Sequence, residues 1–359
     1  MNRIRKFQFL LCFLVLFSSG CVKKEIIDDI NLIEAMGFDY VGGGKIKGTI
    51  LYPIYQPDQP PENVTLTAEH LMKKAILQDI QLQSPNPIVT GSMEVILFGK
   101  EISEKEGVLE LIDAFQRDPG VGSRIFPVIV DGEAQKLLEG EYGIKGNATF
   151  IADLIKNNIE QEDLPMTNLQ QFLFDYYQIG KTPFMPQLKQ ISKDKLEVNG
   201  IGFFRYGKIV ETIPADKMFF FKLLVDKYSN GMHRVKVDDD EAAIRDITSK
   251  HNFELTGREP VEITVKIRVN GIINEFTGNE LTPKRINKLE KNFEEEISKE
   301  CLALFEKFRD KGIDPVGFGH YYKTQTRNFN YEEWTNTQFK DLRVKIEPDV
   351  IIKEAGVIE

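Results

Sequence analysis

The sequence predicts an α+β protein: mixed, largely antiparallel sheets packed with helices in two or three domains, with a long helix in the C-terminal domain. Three observations carry this. Strand-like runs come in pairs around short turn signals, at Gly42-Gly-Gly44 and at Arg205-Tyr-Gly207. Helical periodicity recurs between such runs, as in Val108, Leu111, Ile112 and Phe115. A Thr282-Pro283 start opens one very long amphipathic stretch. The 359 residues suffice for two or three domains. With 42% hydrophobic and 28% charged residues, the composition is globular and excludes wholesale disorder. The net charge of −9 excludes a general electrostatic attraction to nucleic acid or anionic lipid. Three cysteines exclude a disulfide-rich scaffold.

The N-terminus reads as an export signal. Arg3, Arg5 and Lys6 form a basic start, and Phe7 to Phe17 are apolar apart from Gln8. That run is too short for a spanning helix, which needs about 20 residues. Ser18-Ser19-Gly20 are small, and Cys21 follows. Ser19-Gly20-Cys21 resembles a bacterial lipobox, although Ser18 stands where that motif usually has Leu. The resemblance implies removal of residues 1–20 as a lipoprotein signal peptide, with Cys21 as the lipidated first residue. Cys21 would carry N-acyl and S-diacylglycerol groups (palmitate among them), with enough buried CH₂ for stable anchoring. Loss of Arg3, Arg5 and Lys6 leaves the remainder more acidic still. Cys12 would leave with the signal, and Cys301, in a helical pattern, reads as a buried thiol.

Residues 21–190 form an N-terminal α+β region that may be further divisible. Ile26 to Met36 is apolar with acidic interruptions, and two strands flank the glycine turn at 42–44. Pro57, Pro60 and Pro61 mark a loop. Thr67 is placed to cap a helix running to about Gln83. Met93 to Phe98 is a short strand, and Ser103-Glu-Lys-Glu106 fits a capping box for the helix of Val108 to Phe115. Ile125 to Val130 reads as a buried strand; helices follow at Glu133 to Leu138, Ala148 to Ile159 and Asn168 to Tyr177. The Pro/Gly cluster from Gly180 to Pro186 predicts a boundary between separately folding halves.

Residues 196–359 form the C-terminal α+β domain. Leu196 to Phe204 and Lys208 to Ile213 make a hairpin, and Pro214 opens a helix to about Tyr228. Val261 to Val269 alternate as a half-buried strand. Asn270-Gly271 is a two-residue turn signal, predicting an antiparallel return over Ile272 to Phe276. Thr282 caps the longest helix, with Leu289, Phe293, Ile297, Leu304 and Phe308 on one face and Gly312 at its end. Leu342 to Ile352 is a strand whose Pro348 predicts an edge or a bulge.

Motifs for catalysis or ligand binding are absent: the chain has no G-x-x-x-x-G-K-[ST], H-E-x-x-H, G-x-S-x-G or C-x-x-C. His70, His233, His251 and His320 share no metal-ligand spacing. Asp238-Asp-Asp-Glu241 reads as a solvated acidic turn before a helix at Ala242. Asn63-Val-Thr65 and Asn147-Ala-Thr149 match glycosylation sequons. Phe318, Tyr321, Tyr322 and Trp334 suit core packing or an aromatic contact surface. No catalytic, cofactor-binding or metal-binding residue is assigned, and no cofactor is expected.

From Cys21 to its end, the chain resembles the Ger(x)C family, the lipoprotein C subunits of GerA-type spore germinant receptors. Cys21, the charged run Glu25 to Ile30 and Gly37-Phe-Asp39 follow the family's opening. Asn199-Gly-Ile-Gly-Phe-Phe204 with Tyr206-Gly-Lys-Ile-Val210, the helix Thr282 to Lys311, Asp314-Pro-Val-Gly-Phe-Gly319 and Val344 to Gly356 follow the rest. Val22-Lys23 depart from the Trp-Asp-like pair that often follows the family's cysteine. The resemblance implies a non-enzymatic subunit of a nutrient receptor, needed for the germination response. It would be lipid-anchored through Cys21 on the outer face of the bacterial cytoplasmic (spore inner) membrane. Its partners would be a polytopic A subunit and an integral membrane B subunit, with no nucleic acid; the lack of a convergent polar cluster in the sequence predicts that this subunit itself binds nutrient weakly or not at all. The alternative is a lipid-anchored solute-binding protein of an importer, which would show βαβ repeats and a ligand cleft between two lobes.

Overall fold

The structure, a computed structural model, describes residues 29–72, 75–122, 124–228 and 230–354. The expected signal segment and Cys21 lie outside the described residues. Strand β1 (Asn31–Leu32) pairs in parallel with β5 (Ile88–Val89) in a short ladder. The main sheet takes β2 (Ala35–Gly42), β3 (Lys45–Ile54), β4 (Glu62–His70), β6 (Val95–Gly99), β7 (Phe126–Val130), β8 (Phe184–Ser192), β9 (Lys195–Arg205) and β10 (Lys208–Pro214). Their spatial order is β10-β9-β8-β7-β6-β2-β3-β4. The middle strands β2, β6, β7 and β8 are parallel, while both flanks are antiparallel hairpins.

Period-two alternation sends the apolar residues of the middle strands to two faces. Ala35, Val95, Leu97, Val128 and Val130 face one side. Met36, Phe38, Ile96, Phe98 and Ile129 face the other. The second face is covered by α1 (Ala75–Gln81), α2 (Lys100–Lys105), α3 (Leu109–Gln116) and α6 (Leu169–Tyr177). The first packs under α4 (Ala134–Leu138), α5 (Asn147–Gln161) and α7 (Ala215–Val225).

A second sheet is ordered β11-β12-β13-β14, from β11 (His233–Val237), β12 (Asp240–Arg258), β13 (Val261–Phe276) and β14 (Arg343–Glu354). Helix α8 (Pro283–Asp310) lies on it, followed by α9 (Phe318–Gln325) and α10 (Tyr331–Glu333). As its sequence dictates, α8 starts at Thr282, whose Oγ1 accepts from the Arg285 amide at 3.3 Å. Its 28 residues reach about 42 Å, far enough to meet both sheets. Near one end, Phe293 stacks on His233 of β11 at 5.1 Å; near the other, Phe308 lies 4.8 Å from Phe203 of β9. Between the sheets, α7 is buried on every side from Met218 to Leu224, which explains why its sequence is apolar all round.

One core therefore crosses the expected boundary. Strands β8 and β9 are antiparallel neighbours joined at the Ser192–Lys195 turn, so residues 190 and 196 belong to one hairpin of one sheet. The Pro/Gly cluster ends α6 without ending the sheet, so the two halves share it. Parting them would leave β8 without its antiparallel partner and strip α8 from Phe203.

Four local readings are overturned by non-local partners. The helix expected from Thr67 is strand β4, whose β-branched Thr65 and Thr67 pair with Leu51 and Thr49 of β3; the helix begins at Ala75. Ser103 does not cap a helix but lies buried within α2, its Oγ donating to the Gly99 carbonyl at 3.0 Å. Asn270-Gly271 makes no turn: β13 runs straight through it for 16 residues. Opposite, Asp246 (φ 53°) and Ile247 bulge from β12, and a Cβ on Gly271 would stand 2.4 Å from the Ile244 methyl. Finally, Ala242 belongs to β12 and not to a helix, because the acidic run closes the β11–β12 hairpin with Asp238 at φ 57°.

Pro348 does occupy an edge strand, since among the described residues β14 pairs with β13 alone. The Val350 and Ile352 amides on the open side donate to Glu294 and Glu290 of α8 at 3.1 and 2.8 Å. Two residues earlier, Pro348 faces the same side, where a missing N–H breaks no ladder bond.

Candidate functional site

Cys21, the one assigned site, lies outside the described residues. The other singled-out residues build packing contacts: Tyr322 stacks on Trp334 at 5.3 Å, and the Asn63 side chain accepts from the Asn147 amide at 3.1 Å. Each histidine has its own partner: the Met72 amide for His70, three phenylalanine rings for His233, the Asp226 carbonyl for His251 and the Gln178 side chain for His320. Asp238 and Asp240 pair with Lys288 and Arg285, so the acidic turn docks the first turns of α8. Asn147 is fully buried, tying the Leu138 and Gly140 carbonyls and the Tyr142 amide together. Cys301 is buried, which pushes its thiol well above the ordinary range. Phe318, Tyr322 and Trp334 are core; Tyr321 is half-buried. Among the described residues, no three metal-ligating side chains come together.

The resemblance motifs have structural work. Asp39 accepts from the Ala134 and Gln135 amides at 2.7 and 2.9 Å and so caps α4. A side chain on Gly37 would press on Ala134 and Leu138 at 3.0 Å, so glycine lets α4 approach. Asp314 accepts from the Gly317, Phe318 and Gly319 amides at 2.7–3.0 Å and caps α9. Burial pushes its carboxyl up to about 6, against the pull of those amides. Gly319 packs on Gly180, where a Cβ would stand 2.9 Å from the Gly180 Cα. Buried Lys222 closes the end of α5, donating to the Ile159 and Glu162 carbonyls at 2.8 and 2.6 Å, 4.5 Å over the Tyr228 ring. Burial pushes its ammonium below the usual lysine range.

The arrangement with free chemistry is a polar cleft of about 440 Å³ beside the Gly180–Gly319 contact. Its walls are Tyr176 at the end of α6, Lys181 to Pro183, the β9–β10 turn and a single π turn at Trp334–Gln338. The Phe339 amide reaches back to the Trp334 carbonyl at 2.8 Å, which turns Thr335 and Asn336 toward the cleft. The turn residue Tyr206 takes a left-handed φ of 54° and is 85% exposed. Lys181 is neutralised by buried Asp175 at 3.0 Å. Arg205 donates to the Lys311 carbonyl at 3.1 Å, and neither Arg205 nor Lys340 forms an ion pair among the described residues. Across α6, an apolar groove of about 530 Å³ is lined by Phe115, Leu173, Phe174 and Tyr177. The Tyr176 and Tyr177 rings, 5.2 Å apart, link the two hollows. The sequence showed Arg205-Tyr-Gly207 only as a turn; an aromatic residue where a turn needs positive φ was the available signal.

Fold and cleft define a class: an α+β protein of one eight-stranded, one four-stranded and one two-stranded sheet, whose buried charged groups cap and join its helices. The chain belongs to a spore germination protein family. The spore germination protein N-terminal domain matches residues 23–190, and the spore germination B3/GerAC-like C-terminal domain matches 199–356. Spore germination protein GerQC of Bacillus cereus is 31% identical over 97% of this chain and 99% of its own length. Spore germination protein B3 of Bacillus subtilis (strain 168) is 20% identical over 96% of this chain and 98% of its own. The crystal structure of the GerBC protein shares the fold, with a TM-score of 0.58 at 16% identity, covering 88% of this chain and 96% of that one.

Proposed function

We propose that this chain is the lipid-anchored, non-enzymatic C subunit of a spore germinant receptor. Lipid on Cys21 holds it on the outer face of the spore inner membrane, beside polytopic A and B subunits, where it is needed for the nutrient response. The observation that carries the reading is the full-length match: both family domains are present in order, and relatives named for spore germination align over nearly the whole chain. The capping roles of Asp39, Asp314 and Lys222 support a non-enzymatic body, since these buried groups already hold helix ends. The test is Cys21→Ala. The variant is expected to lose acyl labelling, leave the membrane fraction and abolish germination by nutrient. Full membrane retention of an unacylated, partner-free variant would contradict the anchor, and an unchanged nutrient response would contradict the role.

A further inference from the structure

We infer that the cleft between the β9–β10 turn and the π turn docks an acidic segment of a partner protein. Charge is the first reason. The chain carries a net −9, yet this cleft gathers Lys181, Arg205 and Lys340. Lys181 is already answered by Asp175, while Arg205 and Lys340 have no carboxylate partner among the described residues. The acids next in sequence, Glu332, Glu333 and Asp341, are not among the walls. A guanidinium held only by a carbonyl keeps donors free for a carboxylate, which it can grip through two parallel hydrogen bonds.

The second reason is the aromatic surface. Tyr176, Tyr206 and Tyr331 enter the cleft from three distant points of the chain, and their hydroxyls bond to no described protein group. Tyrosine and arginine together are what protein interfaces use as anchors. Tyr206 stands in the two-residue β9–β10 turn, where the hairpin needs positive φ, and presents an exposed ring there. The aromatic surface also continues around α6 to Tyr177 and Phe174, which are 61% and 56% exposed. An open, extended surface of this kind suits a peptide segment better than an enclosed small molecule.

The inference takes from the proposed function only the existence of a protein partner. A photo-reactive phenylalanine at position 206 of the full chain, in intact spores, tests it. The expected result is a cross-link mapped to an acidic segment of another protein. Arg205→Glu with Lys340→Glu should reduce the yield about tenfold or more, and reversing the mapped acids should restore it. Unchanged emission from Trp334, the sole tryptophan, shows that the charge-reversed chain is folded. No cross-link, a cross-link to lipid or to a segment without acids, or a yield indifferent to charge reversal overturns the inference. If A and B subunits co-purify while position 206 cross-links to nothing acidic, the cleft inference fails and the proposed function stands.

Discussion

Replacing Lys222 by methionine keeps the length of the side chain and removes its charge, at a site where the lysine is 2% exposed. Two carbonyls at the end of α5 lose their donor, and Glu162 and Asp163 lose a neighbouring cation. A hydrogen bond from a charged donor contributes about 1.5–3 kcal/mol, and the contact with the Tyr228 ring adds about 1 kcal/mol. Relief of the buried ammonium's desolvation offsets part of this, leaving a loss of about 3 kcal/mol, near the low end of what breaking a buried ion pair costs. With a urea slope of about 3 kcal/mol/M for a chain of this size, the unfolding midpoint should fall by about 1 M, at unchanged slope. Leu224→Met on the same helix is the control, since a volume-conserving change costs under about 1.5 kcal/mol. If the midpoint of Lys222→Met stays within about 0.2 M of the native value, Lys222 does not hold α5 to α7, and the reasoning is refuted.

Other predictions concern a buried acid and a close approach. Asp314 has a folded-state pKa of about 6 against 3.8 unfolded, so the folded state holds the extra proton between those values. The stability this contributes is full below about pH 4 and is lost as pH rises through about 6. Relative to Asp314→Asn, the native chain should lose about 3 kcal/mol over that window; parallel pH profiles in urea unfolding would contradict it. Gly271→Val places its Cβ 2.4 Å from the Ile244 methyl and should cost about 1–3 kcal/mol. An unchanged melting temperature would show that β12 does not close on β13 there.

Legibility in the sequence followed the range of the interactions. Helix α8 could be read because its Thr282 cap, Pro283 and apolar face are all local. The turns at Gly42–Gly44 and at Tyr206-Gly207 could be read because positive φ demands particular residues. The misreadings at Thr67, Ser103 and Asn270 each involved a sound local signal that a distant partner overrode: β3 for Thr67, the Gly99 carbonyl for Ser103 and the β12 bulge for Asn270. The shared sheet was invisible because strand order is non-local, and Gly180 to Pro186 has the same composition whether it separates domains or only ends α6. Of the cleft, only the turn was legible, since Tyr176, Tyr206 and Tyr331 meet through the topology alone.

The proposed function stands on assembly into a receptor. The most direct measurement is native purification of the full chain from detergent-extracted spore membranes, with its companions identified by mass spectrometry. Stoichiometric recovery of two polytopic membrane proteins is expected, with the same germinant specificity lost when any of the three is deleted. Recovery of a transporter permease instead, or of the chain alone, would contradict it.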